Sequence, residues 1–436
     1  MQIISNAVNW FIGLGSIVIV TIVLFVVAVV LGTPWRKALV GALLVGIGLQ
    51  GLFLIVNMIV ENLEPAMKAL AGRFGWSSTI VDVGWGTASL AFGWPGLAAV
   101  YIGIVLVNIV MVLLRGTKTL WTDIWGMWHG QVLGACIWAI TDSVLCGVIA
   151  AIVYLALGTI FADWTKKGYQ QFLKIPGVSF PAGPTVHFAL MGIPVLWVLD
   201  RVPFIKDIRA DVDDIRDTLG VLGEPAVMGA AIGVILGIVA GYPVAKILQF
   251  AAAVAALMVL LPRMVSILAE GLVPMTTEIV DFLRKRFTGD QASSYAYGEE
   301  PVSVSVDVAV QVGPPSVIAA SIIGMPLMVL LGAVLPGNRL LAITSLASVP
   351  YYLGAIMPWA KGNVVKAVIA LLVVAIPVFY TSTYLAPVYT AAFAKLGLYA
   401  KEIAAGNQVA AFGLGGGDPV ALVFVTVFRL LGLAKV

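Results

Sequence analysis

The second half of this chain repeats the first at an offset of about 209 residues, and both copies are strongly apolar. The clearest matched pairs at this offset are Gly32-Thr33-Pro34-Trp35-Arg36-Lys37 with Gly241-Tyr242-Pro243-Val244-Ala245-Lys246, and Val60-Glu61-Asn62-Leu63-Glu64-Pro65 with Ala269-Glu270-Gly271-Leu272-Val273-Pro274. Past Pro65 the match continues with small insertions, and Val81-Asp82-Val83 matches Val306-Asp307-Val308. Two related membrane halves commonly hold a solute between them near the middle of the bilayer, on interrupted helices. The repeat therefore predicts a transporter.

The composition indicates a protein that lives in a bilayer. Hydrophobic residues make up 61% and charged residues 11% of the 436 residues, and the mean hydropathy is +1.05, far from the values of soluble domains. Because a helix needs roughly 20 apolar residues to span the hydrocarbon core, we expect an all-α, multi-pass protein with about 10–12 membrane elements. The uncharged stretches are 11–31, 38–60, 83–114, 143–162, 175–199, 225–245, 308–338, 340–360 and 367–394.

Several classes of function are not indicated. A net charge of +3 without a basic cluster does not suggest a nucleic acid partner. Cys136 and Cys146 sit in apolar context without a CxxC spacing, which is typical of small buried residues. The sequence holds no Walker, HExxH or GxSxG motif, so we predict no catalytic group, metal or cofactor in this chain.

The chain divides at one long polar segment. We predict a first membrane repeat over 1–200, a charged linker over 201–218 and a second membrane repeat over 219–436. A second polar segment, 281–300, has the pattern of an amphipathic helix and a surface loop. Glycine and proline crowd 83–95 and 308–326, which suggests re-entrant hairpins that line a cavity, because free backbone groups are otherwise not tolerated in lipid.

Asp82 and Asp307 are the acids that recur at matched places in the two halves. A carboxylate in the bilayer interior is costly and needs a reason. It can accept charge-assisted hydrogen bonds from two hydroxyl groups of a polyol. Alternatively, each Asp caps the helix that follows it. The sequence leaves both interpretations open.

Other polar residues are weaker candidates for contacts with a solute. Glu224 precedes Pro225 at a predicted helix N-terminus, where capping and a role in the cavity are equally favoured. His129 and His187 suit either packing or ligand binding. Trp85 offers an apolar face to the C–H side of a sugar, although membrane Trp residues commonly anchor at the interface. Neutral side chains that can bind hydroxyl groups are Gln131, Thr185, Gln311 and Asn363.

Six motifs resemble those of a known family, the membrane-spanning IIC component of galactitol-type phosphoenolpyruvate-dependent phosphotransferase systems, in the ascorbate–galactitol superfamily. The resemblance extends from about residue 7 to about residue 430. The motifs are Val81-Asp82-Val83-Gly84-Trp85, Asp123-Ile124-Trp125 with Trp128-His129, Gly223-Glu224-Pro225, Gly237-Ile238-Val239-Ala240-Gly241-Tyr242, Leu261-Pro262-Arg263-Met264 and Gly415-Gly416-Gly417-Asp418-Pro419.

The resemblance implies a homodimer in the bacterial inner membrane. Each protomer would have a V-shaped scaffold (7–60 and 222–270) and a mobile core (62–200 and 272–436) with two re-entrant hairpins. The halves would be inverted repeats, and the core would carry the solute by an elevator-type movement. A phosphocysteine on a separate cytosolic IIB protein, charged by IIA, would phosphorylate the solute. The implied substrate contacts are Asp82, Trp85, His129, Gln131, Thr185, His187 and Asp307.

The solute itself is less well determined. Galactitol transporters tend to have His where this chain has Ala182, and Gly-His where it has Gly313-Pro314. Since unmatched hydroxyl groups lose their partners, the accepted hydroxyl pattern should differ. We expect galactitol or a related polyol or sugar. The competing hypothesis is a proton- or sodium-coupled secondary transporter of a polyol, in which Asp82, Glu224 or Asp307 exchanges the coupling ion.

Overall fold

The computed structural model describes residues 16–30, 32–76, 78–123, 125–208, 210, 221, 224–287, 302–414 and 417–434. The helices are α1 Ser16–Val30, α2 Trp35–Arg73, α3 Ala88–Gly93, α4 Leu97–Leu113, α5 Trp128–Thr141, α6 Val144–Leu173, α7 Thr185–Leu199, α8 Pro203–Lys206, α9 Pro225–Val239, α10 Val244–Phe287, α11 Pro315–Val334, α12 Val349–Ala360, α13 Val364–Lys395, α14 Ala400–Ala404 and α15 Pro419–Leu430. The strands are β1 Ile80–Asp82, β2 Thr119–Leu120, β3 Val178–Ser179, β4 Ser303–Ser305 and β5 Gln408–Ala410, and short 3₁₀ helices occupy Gly84–Thr87, Trp125–Met127, Val308–Val312 and Thr344–Ser348.

The chain is mostly helical and belongs in a membrane. In the part of the chain that the structure describes, α6, α11 and α13 are each long and apolar enough to cross a bilayer, and α3 with α4 forms a bent pair at 90°. The five short strands depart from the predicted all-α protein. The stretch 340–360, expected to be a span, forms a 3₁₀ helix and the 12-residue α12. The number of elements that cross or enter the membrane, about 10–12, stays a prediction.

Four helices, α1, α2, α9 and α10, pack mainly on one another. The crossing of α2 and α10 is close because two glycines meet there: a Cβ atom on Gly41 would lie 2.8 Å from the carbonyl oxygen of Gly271. Lys37 and Glu278 form an exposed ion pair at 2.8 Å between the same helices. Arg73, the last residue of α2, donates to the carbonyl of Val239 at the end of α9, at 2.9 Å.

Apart from α4, β2 and α8 in the first half and α14 in the second, the remaining described elements occur in the same order in both halves: strand, 3₁₀ helix, helix, 3₁₀ helix, short helix, long helix, strand, helix. The parallel strands connect the halves. β1 pairs with β5 and bridges to Leu340, while β4 lies between β2 and β3. Each half therefore inserts its first strand into the other half, and the two cannot separate without breaking these ladders.

Asp82 and Asp307, which match in the sequence, do not lie at the same position relative to their strands. Asp82 is the last residue of β1, and Ser305 is the last residue of β4. Asp307 lies two residues further along, before the 3₁₀ helix. Gly84 follows β1 with a φ of +49°, and a Cβ atom there would lie 2.7 Å from the backbone of Thr344, so the close approach of the halves requires glycine.

The Gly- and Pro-rich segments behave differently in the two halves. In the first half the chain turns at Trp94 between α3 and α4, and the re-entrant hairpin stays a prediction. In the second half, Pro326 lies inside the continuous helix α11, so the helix is not interrupted there, and the irregular backbone is at Gly313 and Pro314. A proline removes one backbone hydrogen bond without always ending a helix when neighbouring elements support it.

The polar segments are described in part. Residues 201–208 of the linker include α8, and the Asn363 side chain, which caps α13, donates to the carbonyl of Ile208 at 2.7 Å. Residues 211–218 lie outside the described residues. Helix α10 extends to Phe287, and residues 288–300 of the second polar segment also lie outside them.

Candidate functional site

A cavity of about 240 Å³ lies between the two halves, where the 3₁₀ helices of both converge. At about 30 Å³ per water it has room for roughly eight waters, and it is smaller than the roughly 300–1,000 Å³ typical of sites for drug-sized ligands. It therefore suits a small solute. Its walls are formed by Trp85, Ala88, Gly126, Trp128, His129, Pro184 and Thr185 from the first half, and Asp307, Val308, Ser348, Tyr351, Tyr352 and Leu414 from the second.

Asp307 is the only acid among the described residues that line the cavity. Its Oδ1 accepts a hydrogen bond from the backbone N–H of Ala309 at 2.8 Å and so caps the 3₁₀ helix. Its Oδ2 is buried and has no hydrogen-bond partner among the described residues. A buried carboxylate oxygen without a partner is expensive. One oxygen thus serves the fold and the other is available to a ligand.

Aromatic rings form much of the cavity wall. The Trp85 and Tyr351 rings lie 5.7 Å apart, and those of Trp128 and His129 lie 4.0 Å apart. Trp85 Nε1 donates to Ser348 Oγ at 2.9 Å across the two halves, which fixes the indole. Tyr351 Oη and His129 Nδ1 are buried without hydrogen-bond partners among the described residues. The wall thus combines apolar ring faces with polar atoms that could bond to a ligand.

Thr185 closes one side of the cavity at the start of α7. Its Oγ1 donates to the carbonyl of Ala182 at 2.5 Å, which leaves the hydroxyl oxygen able to accept a hydrogen bond. Tyr352 forms another part of the wall and is held rigidly: its ring stacks on Phe188 at 3.9 Å, and its hydroxyl donates to the carbonyl of Phe412 at 3.0 Å. The lining is therefore preorganised.

Two of the predicted site residues serve other contacts. Asp82 accepts from Gly84 N at 3.1 Å, Ser345 N at 2.8 Å and Ser345 Oγ at 2.5 Å. These bonds fix one half to the other, and Asp82 is not in the cavity lining. Gln131 accepts from Trp94 Nε1 at 2.9 Å and donates to the carbonyl of Leu97 at 3.0 Å, so its amide holds the bend between α3 and α4.

Three more predicted residues lie outside the lining. Glu224 directly precedes α9, as its motif predicted, but its side chain makes no capping hydrogen bond. Gln311 is buried in the 3₁₀ helix after Asp307, and its amide lies beside the Tyr169 hydroxyl. His187 lies between the rings of Tyr154 and Phe161, behind the wall that Thr185 forms.

The structure adds Asp418, which the sequence reasoning used only as part of a family motif. It is fully buried and caps α15 through Val420 N at 2.9 Å and Ala421 N at 3.1 Å. Its Oδ2 accepts from the Tyr154 hydroxyl at 2.7 Å, and its Oδ1 lies 3.1 Å from His187 Nδ1. This network positions α7 and α15 behind the cavity.

Ser348, Tyr351 and Tyr352 are lining residues with hydroxyl groups that were not predicted from the sequence. Their segment, Ser348-Val349-Pro350-Tyr351-Tyr352, places a proline at the start of α12 with hydroxyl groups on either side. Hydroxyl groups within an uncharged stretch were the available signal. No cluster of metal-ligating side chains occurs within the described residues. The arrangement suits hydrogen bonding to hydroxyl groups and stacking against C–H surfaces.

These features describe a helical membrane protein with a small cavity that is lined by aromatic and polar side chains. Residues 10–402 match the family of the PTS system sugar-specific permease component, EIIC-GAT. The chain therefore belongs to this family of sugar permeases of the phosphotransferase system.

Curated relatives agree with this assignment along nearly the whole length. A putative permease IIC component of Escherichia coli (strain K12) is 32% identical over 413 residues, which cover 93% of this chain and 91% of the relative. The PTS system galactitol-specific EIIC components of Escherichia coli (strain K12) and Escherichia coli O157:H7 are each 28% identical over 425 residues, which cover 97% of this chain and 91% of the relative.

Proposed function

We propose that this chain is the IIC permease that moves an alditol, galactitol or a related polyol or sugar, across the bacterial inner membrane. The observation that carries the proposal is the unpartnered Oδ2 of Asp307 in a small aromatic cavity between the halves. A carboxylate that accepts from hydroxyl groups makes bonds about twice as strong as neutral ones. The name of the galactitol-specific relatives supports the same class of solute.

The other lining groups suit a linear polyol. Tyr351 Oη and His129 Nδ1 offer further hydrogen bonds, since both lack partners among the described residues. Trp85, fixed by Ser348, presents an apolar surface to the carbon chain. A hydroxyl group that meets none of these atoms would lose its water without replacement, which is how such a site discriminates between stereoisomers.

We further propose that the solute is phosphorylated by a separate cytosolic IIB protein that carries the phosphocysteine, itself charged by IIA. Neither cysteine of this chain is in the cavity lining. Cys136 is buried within α5, where no solute reaches it. Within this scheme the chain binds and translocates the solute, and the chemistry occurs on the partner's thiol.

The architecture we propose is a homodimer of protomers with two inverted repeats and two moving parts. The mutual packing of α1, α2, α9 and α10 supports a V-shaped scaffold, and the cavity-forming elements with their hairpins make up the core. Because Arg73 bonds to the end of α9, we extend the scaffold beyond 7–60 and 222–270, to the ends of α2 and α10. An elevator-type movement would carry the core past this scaffold.

Uptake in reconstituted vesicles tests the proposal. Purified protein is inserted into vesicles, and entry of radiolabelled alditols is measured with and without phosphorylated IIB inside. We expect exchange alone without IIB, and accumulation of the phosphorylated solute with it. Concentrative uptake driven by a proton or sodium gradient in the absence of IIB would instead establish the secondary transporter, with Asp307 as the residue that binds the coupling ion.

A further inference from the structure

Asp418 is a fully buried acid that lies outside the cavity lining. It directly precedes α15 and caps this helix, because its Oδ1 accepts from Val420 N and Ala421 N. A cap needs neither a charge nor a second oxygen, as the caps that Ser143 and Asn363 provide for α6 and α13 show. Burial of a charge is costly. The negative charge of Asp418 therefore needs a further reason.

Two further contacts of Asp418 lead to the first half of the chain. Its Oδ2 accepts from the Tyr154 hydroxyl at 2.7 Å, and its Oδ1 lies 3.1 Å from His187 Nδ1. Tyr154 belongs to α6 and His187 to α7, and their rings meet edge to face at 5.2 Å. The three side chains are at most 2% exposed. The carboxylate thus holds both rings in a dry setting, where a charge acts strongly.

The rings of Tyr154 and His187 support a turn that ends in the cavity wall. A Cβ atom on Gly183 would lie 2.8 Å from Tyr154 Oη and 2.8 Å from His187 Cε1, so the backbone of the turn rests directly on both side chains. The next two residues, Pro184 and Thr185, line the cavity. A shift of either ring would therefore move this part of the wall.

The charge of Asp418 also reaches the cavity through His129. This histidine lines the cavity, and both Asp418 and His187 are close enough to act on its charge. The chain has only two histidines, and both thus lie within reach of this one carboxylate. Water screens such interactions little in a buried setting. Asp418 therefore acts on the wall of the first half, although it belongs to the second half.

We propose that Asp418 is a positioning residue for the solute: through Tyr154 and His187 it fixes the wall formed by residues 183–185 at the distance that a bound polyol requires. This inference rests on the proposed function, because it assumes that a polyol occupies the cavity. It assigns part of the affinity to a residue that the solute does not touch. Asp307 then contributes by direct contact, and Asp418 contributes through the wall of the other half.

Calorimetric titration of the purified, untagged protein tests this inference. The probe is whichever of galactitol, glucitol and mannitol the wild type binds best. Asp418→Asn keeps an oxygen for the cap of α15 and removes the charge. Thr185→Val removes a hydroxyl group of the first-half wall and keeps its shape, whereas Tyr351→Phe removes a hydroxyl group of the second-half wall. The control for loss of a cap is Ser143→Ala, since Ser143 Oγ accepts from Cys146 N at 3.3 Å, outside the cavity lining.

The two double variants carry the test. Each of Asp418→Asn, Thr185→Val and Tyr351→Phe should weaken alditol binding about fivefold, or about 1 kcal/mol. Asp418→Asn combined with Thr185→Val should also bind close to fivefold more weakly, because the second change removes a contact that is already lost. Asp418→Asn combined with Tyr351→Phe should bind about 25-fold more weakly, as independent sites do. Ser143→Ala should bind normally.

A spectroscopic measurement without solute separates positioning from a general loss of stability. The imidazole NMR signals of selectively labelled protein report where the protons of the two histidines lie, and His129→Gln assigns them. Asp418→Asn should shift the signals of His187, and Ser143→Ala should leave them in place. If Asp418→Asn does not fold, Tyr154→Phe leaves the cap of α15 intact and should show the same loss of affinity and the same coupling to Thr185.

Three results would overturn this inference alone, in a wild type that binds an alditol. Wild-type affinity in folded Asp418→Asn would leave Asp418 as a helix cap. A loss of about 25-fold in the double variant with Thr185→Val would mean that Asp418 does not act through this wall. Unchanged His187 signals in Asp418→Asn would mean that the carboxylate does not hold the imidazole. Absence of alditol binding by the wild type would instead refute the proposed function itself.

Discussion

Replacing Asp307 by Asn is the most direct test of the cavity, because it separates the two roles of this side chain. The amide oxygen of Asn can accept the hydrogen bond from Ala309 N–H that caps the 3₁₀ helix, which is 2.8 Å long in the wild type. The amide nitrogen takes the place of the unpartnered Oδ2. Shape and capping are thus preserved, and the negative charge that faces the solute is removed.

The expected loss of binding follows from the number of bonds that Oδ2 can accept. One carboxylate oxygen has two lone pairs, so it can serve two hydroxyl groups. Bonds to a charged group contribute about 1 kcal/mol more than neutral bonds. Loss of charge at one or two bonds should therefore weaken solute binding by a factor of about 5 to 30.

Calorimetric titration of purified protein with an alditol provides the measurement. The matched control is Asp82→Asn, since Asp82 bonds to Ser345 and Gly84 outside the cavity. This control should lower the thermal midpoint. The alditol affinity of the folded control should stay within about twofold of wild type, where a tenfold change would correspond to about 1.4 kcal/mol. Wild-type affinity in a folded Asp307→Asn protein would refute the assignment of Asp307 as a solute ligand.

Three further changes test the wall, the scaffold and the link between halves. Tyr351→Phe removes a buried hydroxyl that has no hydrogen-bond partner in the described part of the chain, so stability should hold while calorimetry shows about fivefold weaker alditol binding. Gly41→Ala should cost about 1–3 kcal/mol by overpacking, seen as a lower thermal midpoint, whereas Gly72→Ala, with open space around it, should not lower the midpoint. Cysteines at Val81 and Val409, paired between β1 and β5, should be cross-linkable without loss of uptake; loss would mean that the halves separate during transport.

Most of the residues proposed from the sequence lie in segments that border the cavity, but not all of these face it. His129 and Gln131 are two positions apart on α5, and residues two apart do not share a helix face. His129 therefore lines the cavity while Gln131 bonds to Trp94 behind it. Thr185 and His187 are also two positions apart on one helix, α7, so Thr185 lines the cavity and His187 does not. A side chain's direction requires the helix phase, which the motifs did not supply.

Asp82 and Asp307, which match in the sequence, lie at different positions relative to their strands for a different physical reason. Residues 303–308 read Ser-Val-Ser-Val-Asp-Val, an alternation with the two-residue period of a strand. A short motif can be aligned with such a segment at two places that differ by two residues. A shift by two residues leaves every side chain on the same face of the strand, so the pattern alone cannot distinguish the two alignments. Only the pairing of Ser305 with Ser179 decides between them. That pairing depends on a distant part of the chain, so local sequence comparison could not detect it.

The exchange of first strands constrains how the cavity could open. Because β1 lies between Leu340 and β5, and β4 between β2 and β3, the walls of the cavity belong to one interlocked body. Rocking one half against the other would break both ladders and the bonds of Asp82 to Ser345. Movement of this whole body past α2 and α10 breaks none of them. The interlocked strands therefore favour an elevator-type movement over one in which the two halves part around the solute.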